Sequence, residues 1–227
     1  MIQTNIPNML KIGHRGVKGH EPENTIISFQ KAIDLNVDGI ELDVHLSSDG
    51  KIMVIHDETI DRTTDKKGLV RNSNSSDLKE LGIPTLIEVL DLVHRSCIVN
   101  IELKGIGTVK PVVILIEHYI SNKNWSYTDF LVSSFDWKML EEAQLLNPKI
   151  RIGVLTEEAI DEAVAFAKKI KAYSINPNYR LLTKENVALM QDKCFKVFTW
   201  TVNSIEDIQK IKSFNVDGII SDFPDRI

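Results

Sequence analysis

Two cysteines in 227 residues, Cys97 and Cys194, are too few and too far apart to form a disulfide framework, which points to a reducing compartment. No block of lysine or arginine stands out against a net charge of -5 and a pI near 5.7, so nucleic acid is not an expected partner. No apolar run approaches the ~20 residues of a membrane span. Residues 1–10 carry neither the basic n-region nor the apolar h-region of a secretory signal, so the expected location is the cytoplasm. A Gly-rich phosphate loop of Rossmann or Walker type is missing, and so is a Gly-x-Ser-x-Gly elbow, which counts against a serine hydrolase. What is present is an ordinary soluble composition, 43% hydrophobic and 26% charged, able to bury a core without staples.

Short apolar segments alternate with helical ones. Strands are expected at 9–13, 38–44, 98–103, 131–134, 151–155, 172–175, 196–202 and 218–221. Helices are expected at 25–35, 86–95 and 109–121, and then after caps at Asp136, Thr156, Thr183 and Ser204. An additional strand at 51–56 follows the turn signal Ser48-Asp49-Gly50, and a hairpin centred there sets His56 roughly opposite Asp43. Eight strands separated by seven helices predict a parallel (β/α)8 TIM barrel with a β-hairpin after its second strand and a missing or vestigial eighth helix. Residues 1–227 read as one domain, with 57–83 as an irregular insertion or lid region. Asn36-Val37-Asp38-Gly39-Ile40 recurs as Asn215-Val216-Asp217-Gly218-Ile219, each copy at a helix-to-strand joint with asparagine as the cap.

In such a barrel the chemistry belongs at the C-terminal ends of the strands. The side-chain period of a strand is two, so Glu41 and Asp43 point the same way, as do Glu102 and Lys104. Two carboxylates at ~4 Å repel by roughly 4 kcal/mol in a protein-like dielectric. A chain that gathers Glu41, Asp43 and Glu102 therefore has a cation to hold; the plain alternative is solvent-facing charge on the barrel rim. Oxygen-only ligation favours Mg²⁺ or Ca²⁺ over zinc. His45 lies on the same face but nearer the turn and stays outside the metal set. His14 and His56 flank the carboxylates and are candidates for general acid and base. Arg15 and Lys104 sit beside the cluster. Three carboxylates, one divalent cation and these two bases leave the site at about +1, suited to a phosphodiester and to the charge that grows during its hydrolysis. Trp200 and Phe135, also at strand ends, read either as core aromatics or as pocket walls.

Taken in order, these residues resemble the glycerophosphodiester phosphodiesterase family. The resemblance is carried by His14-Arg15-Gly16, Pro22-Glu23-Asn24-Thr25, Glu41-Leu42-Asp43-Val44 and His56-Asp57 with Asp61-Arg62-Thr63-Thr64. It continues through Pro84-Thr85-Leu86, Ile101-Glu102-Leu103-Lys104, Ser133-Ser134-Phe135, Trp200-Thr201-Val202-Asn203 and Asp217-Gly218-Ile219. It implies a barrel of the phospholipase C-like phosphodiesterase type that hydrolyses glycerophosphodiesters to sn-glycerol 3-phosphate and an alcohol. It also implies one divalent cation, Mg²⁺ or Ca²⁺, on Glu41, Asp43 and Glu102, an acid–base pair in His14 and His56, phosphate contacts from Arg15 and Lys104, and a glycerol pocket lined by Trp200. The segment Leu81-Gly82-Ile83-Pro84 is short beside the family's usual insertion, and an open pocket there would admit several alcohols. Two other readings are a phospholipase D-type enzyme acting on lysophospholipids, which an apolar rim around the site would favour, and a non-catalytic glycerophosphodiester-binding protein. Water and the glycerol 2-hydroxyl both remain as nucleophile, and the assignment of acid and base between the two histidines, the head group and the oligomeric state stay open.

Overall fold

A computed structural model describes residues 9–227. The reading of 1–8 as part of a segment without a leader lies outside the described residues. Eight parallel strands form a closed barrel: β1 (Leu10–Gly13), β2 (Gly39–Leu46), β4 (Ile98–Leu103), β5 (Phe130–Ser134), β6 (Ile152–Thr156), β7 (Ser174–Pro177), β8 (Lys196–Thr199) and β9 (Gly218–Ser221). Closure comes from β1, which pairs with β9 on one side and with β2 on the other. The remaining strand, β3 (Ile52–Val54), is antiparallel to β2 on the outside.

The helices are α1 (Ile26–Asp34), α2 (Ser75–Glu80), α3 (Leu86–Val93), α4 (Val109–Asn122), α5 (Trp137–Leu146), α6 (Ile160–Lys169), α7 (Lys184–Asp192) and α8 (Ile205–Lys212). The described residues thus hold eight helices rather than seven. The additional one, α2, falls within the stretch read as irregular, where Asn74 caps it and Leu78 is buried. After β9 the chain makes only a 3-10 turn, Pro224–Arg226, in the place of a closing helix. Helix α6 begins later than expected: Thr156 belongs to β6, and its hydroxyl accepts from the Ala159 N–H before the helix starts. Thr85 closes a reciprocal capping box with Glu88, the pattern that stops the chain from running on from 81–84 into α3 without a break. Asn36 and Asn215 both take the left-handed conformation, φ 52° and 60°, which accounts for the repeated joint in sequence.

Strand period and barrel closure together sort the side chains. Ile40, Leu42 and Val44 of β2 face outward into the layer shared with Phe29 of α1 and Leu86 and Leu90 of α3, and all are fully buried. Ile12, Leu131, Phe198 and Ile220 form a separate interior cluster. Two residues further along the same strands, on the same inner face, come His14, Ser133, Trp200 and Asp222. An apolar plug therefore fills the lower barrel, and polar groups occupy its C-terminal mouth.

Candidate active site

Glu41 and Asp43 project from β2 and Glu102 from β4, and the paired register Asp43↔Glu102 sets them side by side. One ligand oxygen from each lies within 4.8 Å of the others; among the described residues this is the one such group of three. Glu41 and Asp43 are 4% and 1% exposed, so their charges are almost fully desolvated. Glu41 Oε1 and Asp43 Oδ1 are buried without any hydrogen-bond partner. Orphaned acceptors of this kind are costly in a folded protein unless something unseen satisfies them. Two free carboxylate oxygens, beside a third carboxylate and with no nitrogen or sulfur in the set, fit a hard divalent cation. Burial, and then the charges of Asp43 and Glu102, push the Glu41 carboxyl far above the usual carboxylate range. Glu102 is pushed up to about 7 by burial and by Asp43; the Lys104 ammonium opposes this less strongly. A cation would leave the burial in place but offset its effect, and the mutual repulsion, in both cases.

Three other oxygens of the cluster have donors. The Arg15 N–H donates to Glu41 Oε2 at 3.0 Å, and Asn24 Nδ2 donates to Asp43 Oδ2 at 2.9 Å. Both residues have left-handed backbone, φ 50° at Arg15 and 57° at Asn24, in the segment between β1 and α1. Lys104 Nζ donates to Glu102 Oε1 at 2.9 Å and stands 3.7 Å from Asp43 Oδ1. Arg15 Nε lies 3.3 Å from Asp43 Oδ2 yet is buried with no hydrogen bond of its own. It is a buried donor held against the triad by charge alone.

The two histidines are held in the same manner. His14 Nδ1 is 2.6 Å from Asp222 Oδ1, and its Nε2 is 3.9 Å from Glu41 Oε2. His56 Nδ1 is 2.6 Å from Asp57 Oδ1. With Nδ1–H donated to a carboxylate, each imidazole is left with Nε2 to work on a substrate. Burial lowers the pKa of His56 despite Asp43 and Asp57 nearby. The β2–β3 register is one residue short of the expected pairing: Val44 faces Val54, and the Ile55 N–H donates to Asp43 O, so Ile55 stands opposite Asp43. His56 is brought in by the next residue of the chain and is fixed from behind, because His45 Nε2 contacts the His56 carbonyl oxygen at 3.0 Å.

A cavity of about 120 Å³ opens between these groups, with His14, Arg15, Glu41, His56, Glu102, Lys104, Phe135 and Trp200 all on its wall. Phe135 meets Trp200 edge-to-face at 5.3 Å between ring centroids, and Trp200 Nε1 donates to the Asn176 carbonyl at 2.7 Å. Of the nine residues expected to act, only Asp43 is absent from that wall; it is buried beside Glu102, its partner in the β2–β4 register. A larger cleft of about 330 Å³ adjoins at His56, between residues 21–25 and 81–83.

Sequence reasoning did not single out Asp222, nor the roles of Asp57, Glu23 and Arg62. A signal for Asp222 existed: it is two residues past Ile220, where the inner-face period of the last strand must place a side chain in the mouth.

Comparison with known proteins gives a consistent picture. The Glycerophosphoryl diester phosphodiesterase family matches residues 14–226. The chain is 40% identical over 241 residues to a glycerophosphodiester phosphodiesterase of Bacillus altitudinis, covering 96% of each. It is 36% identical over 237 residues to one from Caldanaerobacter subterraneus subsp. tengcongensis, again covering 96% of each. Among solved structures, the Thermotoga maritima glycerophosphodiester phosphodiesterase superposes with a TM-score of 0.82 at 32% identity, covering 95% of this chain and 96% of that one. An Oleispira antarctica phosphodiesterase in complex with the product sn-glycerol-3-phosphate gives a TM-score of 0.82 at 27% identity, with 95% and 94% coverage.

Proposed function

This chain belongs to the glycerophosphoryl diester phosphodiesterase family, and on that premise we propose that it hydrolyses glycerophosphodiesters to sn-glycerol 3-phosphate and an alcohol. The observation that carries this reading is an acidic triad with unsatisfied buried oxygens, flanked by two imidazoles that are each anchored by a carboxylate. A protein that merely binds its ligand has no use for two such anchored acid–base groups. Residues 1–227 act as one catalytic domain, and the two unpaired thiols fit a reducing cytoplasm.

Glu41, Asp43 and Glu102 would hold one divalent cation, Mg²⁺ or Ca²⁺, which polarises a phosphate oxygen and offsets the triad's charge. Arg15, on the cavity wall, offers its guanidinium to a second phosphate oxygen, and Lys104 adds an ammonium beside it. These fixed donors reward the charge that builds on the phosphoryl group during reaction more than the charge already there. One imidazole Nε2 takes the proton of the nucleophile, while the other returns a proton to the departing alkoxide. Asp222 and Asp57 hold the two rings in the required tautomer and stabilise whichever becomes cationic. Phe135 and Trp200 receive the glycerol carbons.

The test is release of glycerol 3-phosphate from glycerophosphocholine and glycerophosphoethanolamine by EDTA-stripped protein, with Mg²⁺ or Ca²⁺ added back. Cation-restored release that is lost in His14→Ala is expected. No release with either ion from folded protein would defeat the reading.

One feature favours a second substrate. Ile106 and Phe135, just beyond the adjacent strands β4 and β5, are 88% and 41% exposed and put apolar surface beside the glycerol pocket. An acyl chain on the glycerol would lie there. Turnover of lysophosphatidylcholine at a rate comparable to that of glycerophosphocholine would establish this reading, and its absence would remove it.

A further inference from the structure

Arg15 and His56 stand on different segments, and each has its own carboxylate. Arg15 Nη1 donates to Glu23 Oε1 at 2.8 Å, and His56 Nδ1 lies 2.6 Å from Asp57 Oδ1. A single guanidinium joins the two carboxylates. Arg62 donates through Nε to Asp57 Oδ2 at 2.7 Å and through Nη2 to Asp57 Oδ1 at 3.0 Å. It also donates through Nη1 to Glu23 Oε2 at 3.0 Å and through Nη2 to Glu23 Oε1 at 2.7 Å. We propose that Arg62 is a positioning residue for the reaction, its fork locking His56, by way of Asp57, in register with Arg15, by way of Glu23. This rests on the assignment of His56 as an acid–base group and Arg15 as a phosphate ligand.

An isolated ion pair at a half-exposed side chain contributes little. Here the geometry is different. The Arg62 side chain is 46% exposed, but its acceptors are only 8% exposed at Glu23 and 28% at Asp57. Both edges of one rigid plane are used at once, which fixes the distance and angle between the two carboxylates. A lysine ammonium has no second edge. Arg62 holds Asp57 far below the ordinary carboxylate range, so the imidazole always faces a full charge. Glu23 is held at about 2, because the hydrogen bonds from Arg62 and Arg15 override its burial.

Without Arg62, two things change. Asp57 keeps His56 as its one side-chain hydrogen-bond partner and is free to rotate, so the ring loses its fixed direction. The charge of Glu23 then falls on Arg15 and on Lys18, 3.5 Å from Glu23 Oε2, and draws the Arg15 guanidinium away from the site. Both changes disturb the arrangement of bound substrate more than its affinity. No atom of Arg62 needs to touch substrate for this.

Steady-state kinetics on glycerophosphocholine, with the full chain and saturating cation, test the proposal. Arg62→Ala is expected to lower kcat about 10- to 100-fold with a much smaller change in KM. Arg62→Lys is expected to restore only part of the loss. The decisive comparison is Arg62→Ala combined with Asp57→Asn: if the two residues act through one contact, the double variant is no slower than the slower single variant. Proton NMR supplies a readout that does not depend on turnover. The Nδ1–H protons of His14 and His56, each donated to a carboxylate, give downfield resonances assigned by their loss in Asp222→Asn and Asp57→Asn. Arg62→Ala is expected to shift or broaden the His56 resonance and leave that of His14 in place. Losses that multiply in the double variant, or an unmoved His56 resonance, would overturn the proposal. If the wild-type protein hydrolyses no glycerophosphodiester, the functional reading fails on its own terms, while the resonances still decide whether Arg62 holds His56.

Discussion

His14 Nδ1 lies 2.6 Å from Asp222 Oδ1, a contact that joins the first strand of the barrel to the last. Burial alone would raise the Asp222 pKa, but the hydrogen bond and charge of His14, with the Asn203 hydrogen bond and the charge of Lys18, together outweigh it and lower the pKa below the ordinary range. Asn203 fixes the carboxylate from the other side, donating Nδ2 to Asp222 Oδ2 at 2.7 Å and accepting the Asp222 N–H at 2.9 Å. The ring is therefore held by a group that is itself held.

Asp222→Asn keeps the shape and removes the charge, so His14 is no longer confined to one tautomer. The expected result is a fall in kcat of about 10- to 100-fold with an unchanged melting temperature. Activity within about twofold of wild type would show that His14 needs no such partner.

With no cation on the triad, stability depends on pH. Without it Glu102 titrates at about 7 instead of 4.5, chiefly because of burial and then because of Asp43. The folded chain then keeps a proton that the unfolded chain has released. That contribution to stability is complete below about 4.5 and is lost as the pH rises through about 7. The EDTA-treated protein should accordingly melt several degrees lower at pH 8 than at pH 5.5 for this reason, whereas protein loaded with Mg²⁺ or Ca²⁺ should show little of that slope. Glu102→Gln should flatten the slope of the metal-free protein. Thermal unfolding across pH measures all three, and a metal-free melting point that climbs with pH would contradict the account.

Phe135→Ala removes the ring that meets Trp200 edge-to-face. Such a contact is worth about 1 kcal/mol, so KM for glycerophosphocholine should rise roughly fivefold to tenfold while kcat changes less. A change confined to kcat would mean that Phe135 does not form part of the glycerol wall.

Gly16→Ala should damage the fold and the site together. Gly16 has φ +85°, and a Cβ there would stand 2.3 Å from Ser28 Oγ. That hydroxyl accepts the Val17 N–H at 2.8 Å and donates to the Arg15 carbonyl at 3.1 Å. Pushing it aside moves Arg15. A loss of about 1–3 kcal/mol in denaturant unfolding is expected, together with lost turnover. A variant of wild-type stability would show that the turn has room that the geometry denies it.

The barrel and the triad were legible in the sequence because both follow from short-range periodicity. Glu41 and Asp43 share a face by the period of two, and the alternation of strand and helix needs no distant information. The strand period places Asp222 in the mouth, but its pairing with His14 was not legible, because the two are 208 residues apart and only closure of the barrel brings them together. Arg62 was visible as part of Asp61-Arg62-Thr63-Thr64, one of the segments that carry the resemblance, but without a role; its two carboxylates come from separate loops whose approach no local pattern encodes. Helix α2 is six residues, Ser75–Glu80, too short to display an amphipathic repeat, so its capping asparagine read as loop. The hairpin was found, but its register was placed one residue off, because the turn runs from Ser47 to Lys51 with the Ser47 N–H bonded to the Lys51 carbonyl.

The pairing of β1 with β9 also has a consequence for the order in which the molecule comes into being. Translation makes His14 some two hundred residues before Asp222, and β9 supplies the side of the barrel against which β1 rests. A nascent chain arrested ahead of Gly218 therefore has the triad residues and both histidines but neither the anchor of His14 nor the strand that closes the barrel, and it should turn over nothing.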